Sequence, residues 1–267
     1  LRTGGGLSGL TVTGGSGGGG VVSPSEIPEI RDCTISGDIG VTCISSSPLL
    51  TNCVISGNFL EGVRCYDSAS PTLTNCSILG SPRVGVSLAS SSSATLKNCI
   101  VWNNAGGAIG QEDGSGNPIV SYSCIEAGWP GDGNIDQDPS FVQQGYWDVS
   151  NTWIPGDYHL QPGSPCIDTG TCNGVPPLDI EGNARPAGAG CDMGAYEFGA
   201  PPAPLFRRGD ANGDAKADIS DAITTLGFLF LGNPGQLACE KSADTNDDGK
   251  LDLSDPVALL NHLFLGA

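Results

Sequence analysis

Apolar and polar positions alternate along the first half of the chain in a line that keeps returning. Leu7-Ser-Gly-Leu10-Thr-Val12-Thr-Gly14 is followed by Ile30-Arg-Asp-Cys33-Thr-Ile35-Ser-Gly37 and Leu50-Thr-Asn-Cys53-Val-Ile55-Ser-Gly57. Leu73-Thr-Asn-Cys76-Ser-Ile78-Leu-Gly80 and Leu96-Lys-Asn-Cys99-Ile-Val101 continue it, and Ser121-Tyr-Ser-Cys124-Ile125 ends it less regularly. The period-two alternation over a few residues predicts short strands. Between these lines lies another short strand: Gly40-Val41-Thr-Cys43, Gly62-Val63-Arg-Cys65, Gly85-Val86-Ser-Leu88 and Gly107-Ala108-Ile109. Proline stands five residues before three of the cysteines, at Pro28, Pro48 and Pro71.

The cysteine column steps by 20, 23, 23 and 25 residues. Two or three short strands per period near 22 cannot bury their own apolar face, so successive coils must stack into one core. The pattern resembles the right-handed parallel β-helix, an all-β solenoid. Six coils at about 4.8 Å each predict a rod of about 30 Å. An immunoglobulin-like sandwich is the competing fold, but its strands would not keep one residue type in one column. In the stacked arrangement Cys33, Cys53, Cys76, Cys99 and Cys124 are expected to form one inward ladder, acting as small hydrophobes. Reduced thiols are the favoured state, although adjacent rungs bring α-carbons within disulfide reach. Asn52, Asn75 and Asn98 precede three of these cysteines and suggest an amide ladder at a corner.

Residues 119–198 lose the period. The stretches Gly128-Trp-Pro-Gly131, Asp157-Tyr-His-Leu160, Gly163-Ser-Pro-Cys-Ile-Asp168 and Asp192-Met-Gly-Ala-Tyr-Glu197 stand there in order. They resemble the C-terminal part of surface β-helix proteins with variable anchoring signals in planctomycete-like bacteria. That resemblance implies extracellular display and implies no reaction. Coils are therefore expected over 1–126, with irregular last coils and a cap shielding the rod's end over 127–198. Cys166, Cys172 and Cys191 fall in loops, and a bridge from Cys191 to one of the others is expected. Trp129, Trp147, Trp153 and Tyr158 cluster in this segment; sugar stacking and cap packing both fit, with packing the simpler account. Gly199-Ala-Pro-Pro-Ala-Pro204 reads as a stiff linker over 199–206.

The last sixty residues carry a twelve-residue acidic loop written twice, 34 residues apart. The first copy places Asp210, Asn212, Asp214, Lys216, Asp218 and Asp221 at positions 1, 3, 5, 7, 9 and 12; the second places Asp244, Asn246, Asp248, Lys250, Asp252 and Asp255 there. Oxygen side chains at 1, 3, 5, 9 and 12 with a backbone carbonyl at 7, here that of Lys216 or Lys250, are what a hard cation such as calcium requires. An apolar stretch of helical character follows each loop, and Ile223, Leu226 and Leu229-Phe-Leu-Gly232 map onto Val257, Leu260 and Leu263-Phe-Leu-Gly266. Residues 207–267 thus resemble a type I dockerin, a small all-α module. The resemblance implies two bound calcium ions and a cohesin-type partner. Two departures stand out from the usual EF-hand: Asp replaces Glu at position 12, and Ala215 takes the position where glycine makes the sharp turn. The second departure predicts a weaker first site.

Charge and composition narrow the function. The chain has 267 residues, 29 acidic against 11 basic, and a net charge of −18. Nucleic acid and anionic membrane surfaces select for Lys and Arg, so neither is expected as a partner. No apolar run approaches the roughly 20 residues of a membrane span. The chain opens on Leu1 without a signal peptide, and the expectation is a trimmed export product, extracellular or at the cell surface. The run Gly14-Gly-Ser-Gly-Gly-Gly-Gly20 lacks the strand-to-helix context of a nucleotide loop and reads as a corner of the first coil.

No catalytic residue is assigned. Asp32, Asp38, Glu61, Asp67, Glu112 and Asp113 do not repeat in one column, and the two histidines, His159 and His262, have no evident nucleophile partner. The leading expectation is a non-catalytic extracellular scaffold joined through the calcium-dependent module to a cohesin-type partner, or head to tail to copies of itself as a fibre. The second option follows from Leu1 starting almost directly on a coil, with no helix to cover its unpaired edge. The rival is a polysaccharide lyase or glycoside hydrolase; a glycan-binding component without catalysis is the third reading.

Overall fold

The computed structural model describes residues 7–13, 19–24, 29–114, 116–199, 208–213, 216–237 and 239–265. The chain divides into two compact units, Leu1–Pro201 and Pro202–Ala267. Leu1, the glycine run at 14–18, Pro28, most of the linker, Asp214, Ala215 and Gly266 lie outside the described residues.

Among its described residues the first unit is built on three parallel sheets of six, six and five strands. In the first, Leu49–Thr51, Thr72–Thr74, Thr95–Lys97 and Ile119–Ser121 follow one another, with Ile30, Leu50, Leu73, Leu96 and Val120 in register. The second stacks Thr34–Ser36, Val54–Ser56, Ser77–Leu79, Ile100–Trp102 and Cys124–Ile125. The third stacks Ile39–Ile44, Val63–Tyr66, Val86–Leu88 and Ile109–Gln111. Each strand is only a few residues long because the chain must turn three times before it stacks on the next rung. Stacking supplies the ladder hydrogen bonds and buries one apolar column per sheet. Leu50, Leu73, Leu96, Ile55 and Ile78 are completely buried, each worth about 1.5–3 kcal/mol of apolar transfer. At the corner before the third sheet the chain passes too close to its neighbour for a side chain. A Cβ on Gly62 would sit 2.7 Å from the Gly85 carbonyl oxygen.

The cysteine column forms the bend between the first and second sheets. Cys33, Cys53, Cys76 and Cys99 are buried free thiols. Each Sγ donates to the carbonyl two residues back: Arg31, Thr51, Thr74 and Lys97 at 3.0–3.4 Å. Burial holds the Cys76 thiol well above its ordinary range, which makes it inert as a nucleophile. Cys124 does not join this ladder. Ser123 takes the rung, accepting the Cys99 N–H at 3.0 Å, and Cys124 pairs with Ile100 instead. The slip of one residue turns Cys124 to the outer face, where it meets Cys166 in a second apolar cluster.

The residue before each rung cysteine adopts left-handed backbone. Asp32, Asn52, Asn75 and Asn98 have φ of 50–52°, and Tyr122 takes the same place at 49°. Asp and Asn tolerate that region better than most side chains. Along this corner Asn52 donates to Asp32 of the rung before at 3.0 Å, and all three amides bond a later stretch of the chain. Asn52 reaches Leu178 O at 2.8 Å, Asn75 reaches Asp192 O and Gly194 O, and Asn98 reaches Thr171 O at 2.8 Å.

Those contacts correct the expected end cap. Residues up to Ile135 do extend the rod, since Ile135 pairs parallel with Cys124 and Trp129 packs against the interior core. From Phe141 onward the chain turns back along the outside of the second sheet. Phe141, Tyr158, Leu160, Cys166, Met193 and Ala195 pack there on Val54, Leu79, Ile100 and Cys124. This explains why second-sheet strands such as Val54–Ser56 are buried on both faces while Thr72–Thr74 is buried on one. A disulfide joins Cys172 to Cys191, and Cys166 stays free.

Among its described residues the second unit holds three helices, α1 (Ile219–Leu231), α2 (Glu240–Ala243) and α3 (Ser254–Leu265). α1 begins on a capping box of Asp218 and Asp221 and ends at Gly232, whose φ of 61° suits a left-handed cap. Among the described residues no helix is long and apolar enough to cross a membrane.

Candidate metal centres

Both acidic loops are wound by their own side chains. In the second, Asn246 Oδ1 accepts the Asp248 N–H at 3.0 Å, Asp248 Oδ1 the Lys250 N–H at 2.9 Å, and Asp252 Oδ1 the Ser254 N–H at 2.8 Å. In the first, Asp218 Oδ1 accepts the Ser220 N–H at 2.8 Å. These short-range bonds are what Asp and Asn make in turns. The Ser220 and Ser254 hydroxyls, with the N–H groups of the same residues, hold the half-buried Asp218 and the exposed Asp252 carboxyls below the usual range. The fourth loop position is left-handed in both copies, Gly213 at φ 79° and Asp247 at 61°. Gly249, at loop position 6, has φ 78°; its counterpart Ala215 falls outside the described residues.

Position 12 closes each loop. Asp221 accepts the Asn212 N–H at 3.1 Å and the Asp218 N–H at 2.9 Å. Asp255 accepts the Asn246 N–H at 3.4 Å and the Asp252 N–H at 2.9 Å. Both carboxylates are fully buried, and Asp210 and Asp244 at position 1 are buried as well. The described residues place no basic side chain in ion-pair range of Asp221 or Asp255. A buried carboxylate is costly unless a positive charge meets it. The helix N-terminus supplies part of that charge, and a divalent cation fits what remains.

Among the described residues no three His, Cys, Asp or Glu side chains gather as a metal-holding group. Asp244, for example, accepts the Asp248 and Gly249 N–H groups at 3.2 and 3.0 Å. The donor set fits a hard cation in chemistry and spacing, with local N–H groups occupying the oxygens. The loops also touch each other: Gly209 N–H donates to Ser242 O at 2.7 Å, and Ser242 Oγ donates to Asp210 O. Arg208 donates to Asp244 O at 2.7 Å and pairs with Asp247 at 2.9 Å.

The repeat also leaves matching apolar side chains outside. Ile223 and Val257 are 63% and 46% exposed, and Phe230 and Phe264 are 66% and 68% exposed. Leu231 and Leu265 are exposed too.

In the first unit the acids considered for catalysis are dispersed. Asp32 accepts from Asn52, Glu61 lies buried beside Arg83, and Glu112 accepts from Ser87 Oγ. His159 lies between Asp157 at 2.6 Å and Glu181 at 3.2 Å, against the Tyr196 ring. Partial burial opposes its charge, but the hydrogen bonds to the two acids outweigh that and raise its pKa. Sequence reasoning missed Arg185, a fully buried guanidinium that pairs with Glu197 at 2.7 Å and donates to Gly194 O and Ala195 O. Nearby, burial pushes the Asp192 carboxyl up to about 6. A lone arginine within an acid-rich, glycine-rich stretch was the available signal.

Comparison with known proteins agrees with the fold of the first unit. The family described as right handed beta helix region matches residues 6–133, and this stretch is a right-handed β-helix domain. No curated protein matches the chain. Among solved structures, that of pectate lyase Pel9A matches with 13% identity and a TM-score of 0.39, over 72% of this chain and 70% of that one. A likeness that distant says nothing about activity.

Proposed function

We propose that this protein is a non-catalytic extracellular connector. Its β-helix is the rigid body, and its C-terminal unit is a dockerin-like, calcium-dependent joint to a cohesin-type partner or to other copies of the chain. The observation that carries the reading is the pair of fully buried carboxylates, Asp221 and Asp255, set 34 residues apart and each lacking a basic partner among the described residues. Asp210, Asn212, Asp214, Asp218 and Asp221 with the Lys216 carbonyl would hold one ion. Asp244, Asn246, Asp248, Asp252 and Asp255 with the Lys250 carbonyl would hold the other. Calcium supplies the positive charge that the buried carboxylates need. The protein's own part is to wind each loop through its Asx bonds and to start α1 and α3 from the closing aspartate. Firm helix starts in turn fix the exposed Ile223, Val257, Phe230 and Phe264 as a surface for a partner. The Cys172–Cys191 disulfide supports an oxidising, extracellular setting.

Sedimentation and electron microscopy with calcium, then with excess chelator, test the reading, with circular dichroism in parallel. Calcium is expected to raise the thermal transition of the helical unit. Calcium-dependent polymers would identify the partner as another copy; a calcium-stabilised monomer would identify it as a separate cohesin-type protein. A helical unit that ignores both calcium and chelator would overturn the proposal.

A further inference from the structure

The flanking segment of the β-helix carries a short antiparallel hairpin, Tyr146–Trp147 with Trp153–Ile154. It rests on glycines of two successive rungs. Gly57 and Gly80 have φ of 62° and 68°, and a Cβ on either would lie 2.1 Å from the Trp153 ring. Trp147 Nε1 donates to Gly80 O at 2.9 Å. These contacts seat the hairpin, yet they leave aromatic surface unused. Tyr146 is 55% exposed, and Phe59, 52% exposed, meets Trp147 edge-on at 6.0 Å. Between the hairpin and the rod lies a cleft of about 290 Å³ lined by Ser81, Asn103, Tyr146, Trp147 and Trp153 among others.

We propose that this cleft binds a neutral pyranose of an extracellular polysaccharide. Three features converge on that ligand class. The aromatic faces can receive the C–H face of a sugar ring, since an aromatic ring is negative on its face. Polar groups stand beside them unused: the Asn103 amide is exposed, and the Ser81 hydroxyl and Trp153 Nε1 are buried without a partner. No residue lining the cleft is charged, and a chain of net charge −18 repels acidic sugars. The volume sits at the low end for small-ligand sites, about 300–1,000 Å³, which suits one or two rings of a longer polymer. The inference is independent of the calcium loops, because every group it uses belongs to the β-helix unit.

The test is titration of the full chain with cellohexaose, xylohexaose, mannohexaose and chitohexaose, each to about 10 mM, read by calorimetry and tryptophan fluorescence. Trigalacturonate serves as the acidic counter-probe. At least one neutral hexaose should bind saturably and change the emission of Trp147 and Trp153. Tyr146→Ala should weaken it about tenfold, Tyr146→Phe should largely preserve it, and Ala105→Glu at the cleft wall should abolish it. Tyr146 and Ala105 are both exposed, so these variants should keep the wild-type thermal transition; if Tyr146→Ala loses it, Ala105→Glu decides. Absence of saturable binding by all four neutral hexaoses, binding untouched by Ala105→Glu, or preference for trigalacturonate would each overturn the proposal.

Discussion

The two units of this chain both repeat their sequence, and they use repetition in opposite ways. In the β-helix a repeated apolar position is buried against its own copies, as Ile30, Leu50, Leu73 and Leu96 are. In the helical unit the repeated positions Ile223 and Val257, or Phe230 and Phe264, stay exposed, while the repeated polar positions Asp221 and Asp255 are buried. Repetition therefore does not by itself mean core. A solenoid satisfies its columns within the chain. The twofold loop-helix repeat leaves Ile223, Val257, Phe230 and Phe264 outside and buries its closing acids, the inverse of the solenoid.

The strongest way to break that contrast is to remove the buried acids. Asp221→Ala with Asp255→Ala should abolish the response of the helical unit to calcium, and each single change should weaken its own site at least about hundredfold by calorimetry. The β-helix transition should not move. Equal loss in both units would mean that the acids serve the whole fold and hold no ion. Truncating the rod is the complementary experiment. Leu73→Ala should cost about 2–5 kcal/mol in denaturant unfolding of the β-helix, with calcium affinity unchanged. A calcium affinity that fell with it would show the two units to be one cooperative body.

The smallest effect concerns His159. Its folded-state pKa is raised by Asp157 and Glu181, so its contribution is full below the unfolded value of about 6.5 and fades as pH rises through the folded one. The side chain is 42% exposed, and screening limits the gain to under about 1 kcal/mol. His159→Gln should therefore lower β-helix stability at pH 5 and leave it unchanged at pH 9. A loss of equal size at both pH values would assign the ring to packing against Tyr196.

The rod was legible because its signal is local and repeated: a Leu, an Asn, a Cys and an Ile at fixed offsets identify the columns without knowledge of distant contacts. Cys124 shows the limit. It sits one position out of register, and only the pairing of Ile100 with it reveals that Ser123 fills the rung. The flanking segment was less legible because its bonds join residues far apart in sequence, as Asn75 to Asp192. The acidic loops were read from spacing alone, and the structure adds the burial of Asp221 and Asp255, which spacing cannot reveal. The aromatic cleft needed three dimensions, since Phe59 and Tyr146 come from different parts of the chain.

The asparagines at the corner of the rod also bear on how this protein can change over evolutionary time. An ordinary solenoid lengthens or shortens by duplicating or deleting one coil, and every remaining interface survives. Here Asn52, Asn75 and Asn98 on three successive rungs are bonded to Leu178, to Asp192 and Gly194, and to Thr171 of the returning segment. The rungs act as the graduations of a ruler that this segment is cut to match. An inserted coil between any two of them would leave one amide facing the wrong carbonyl and strand the segment a rung short, so the length of this part of the rod is fixed by its own companion strand of chain.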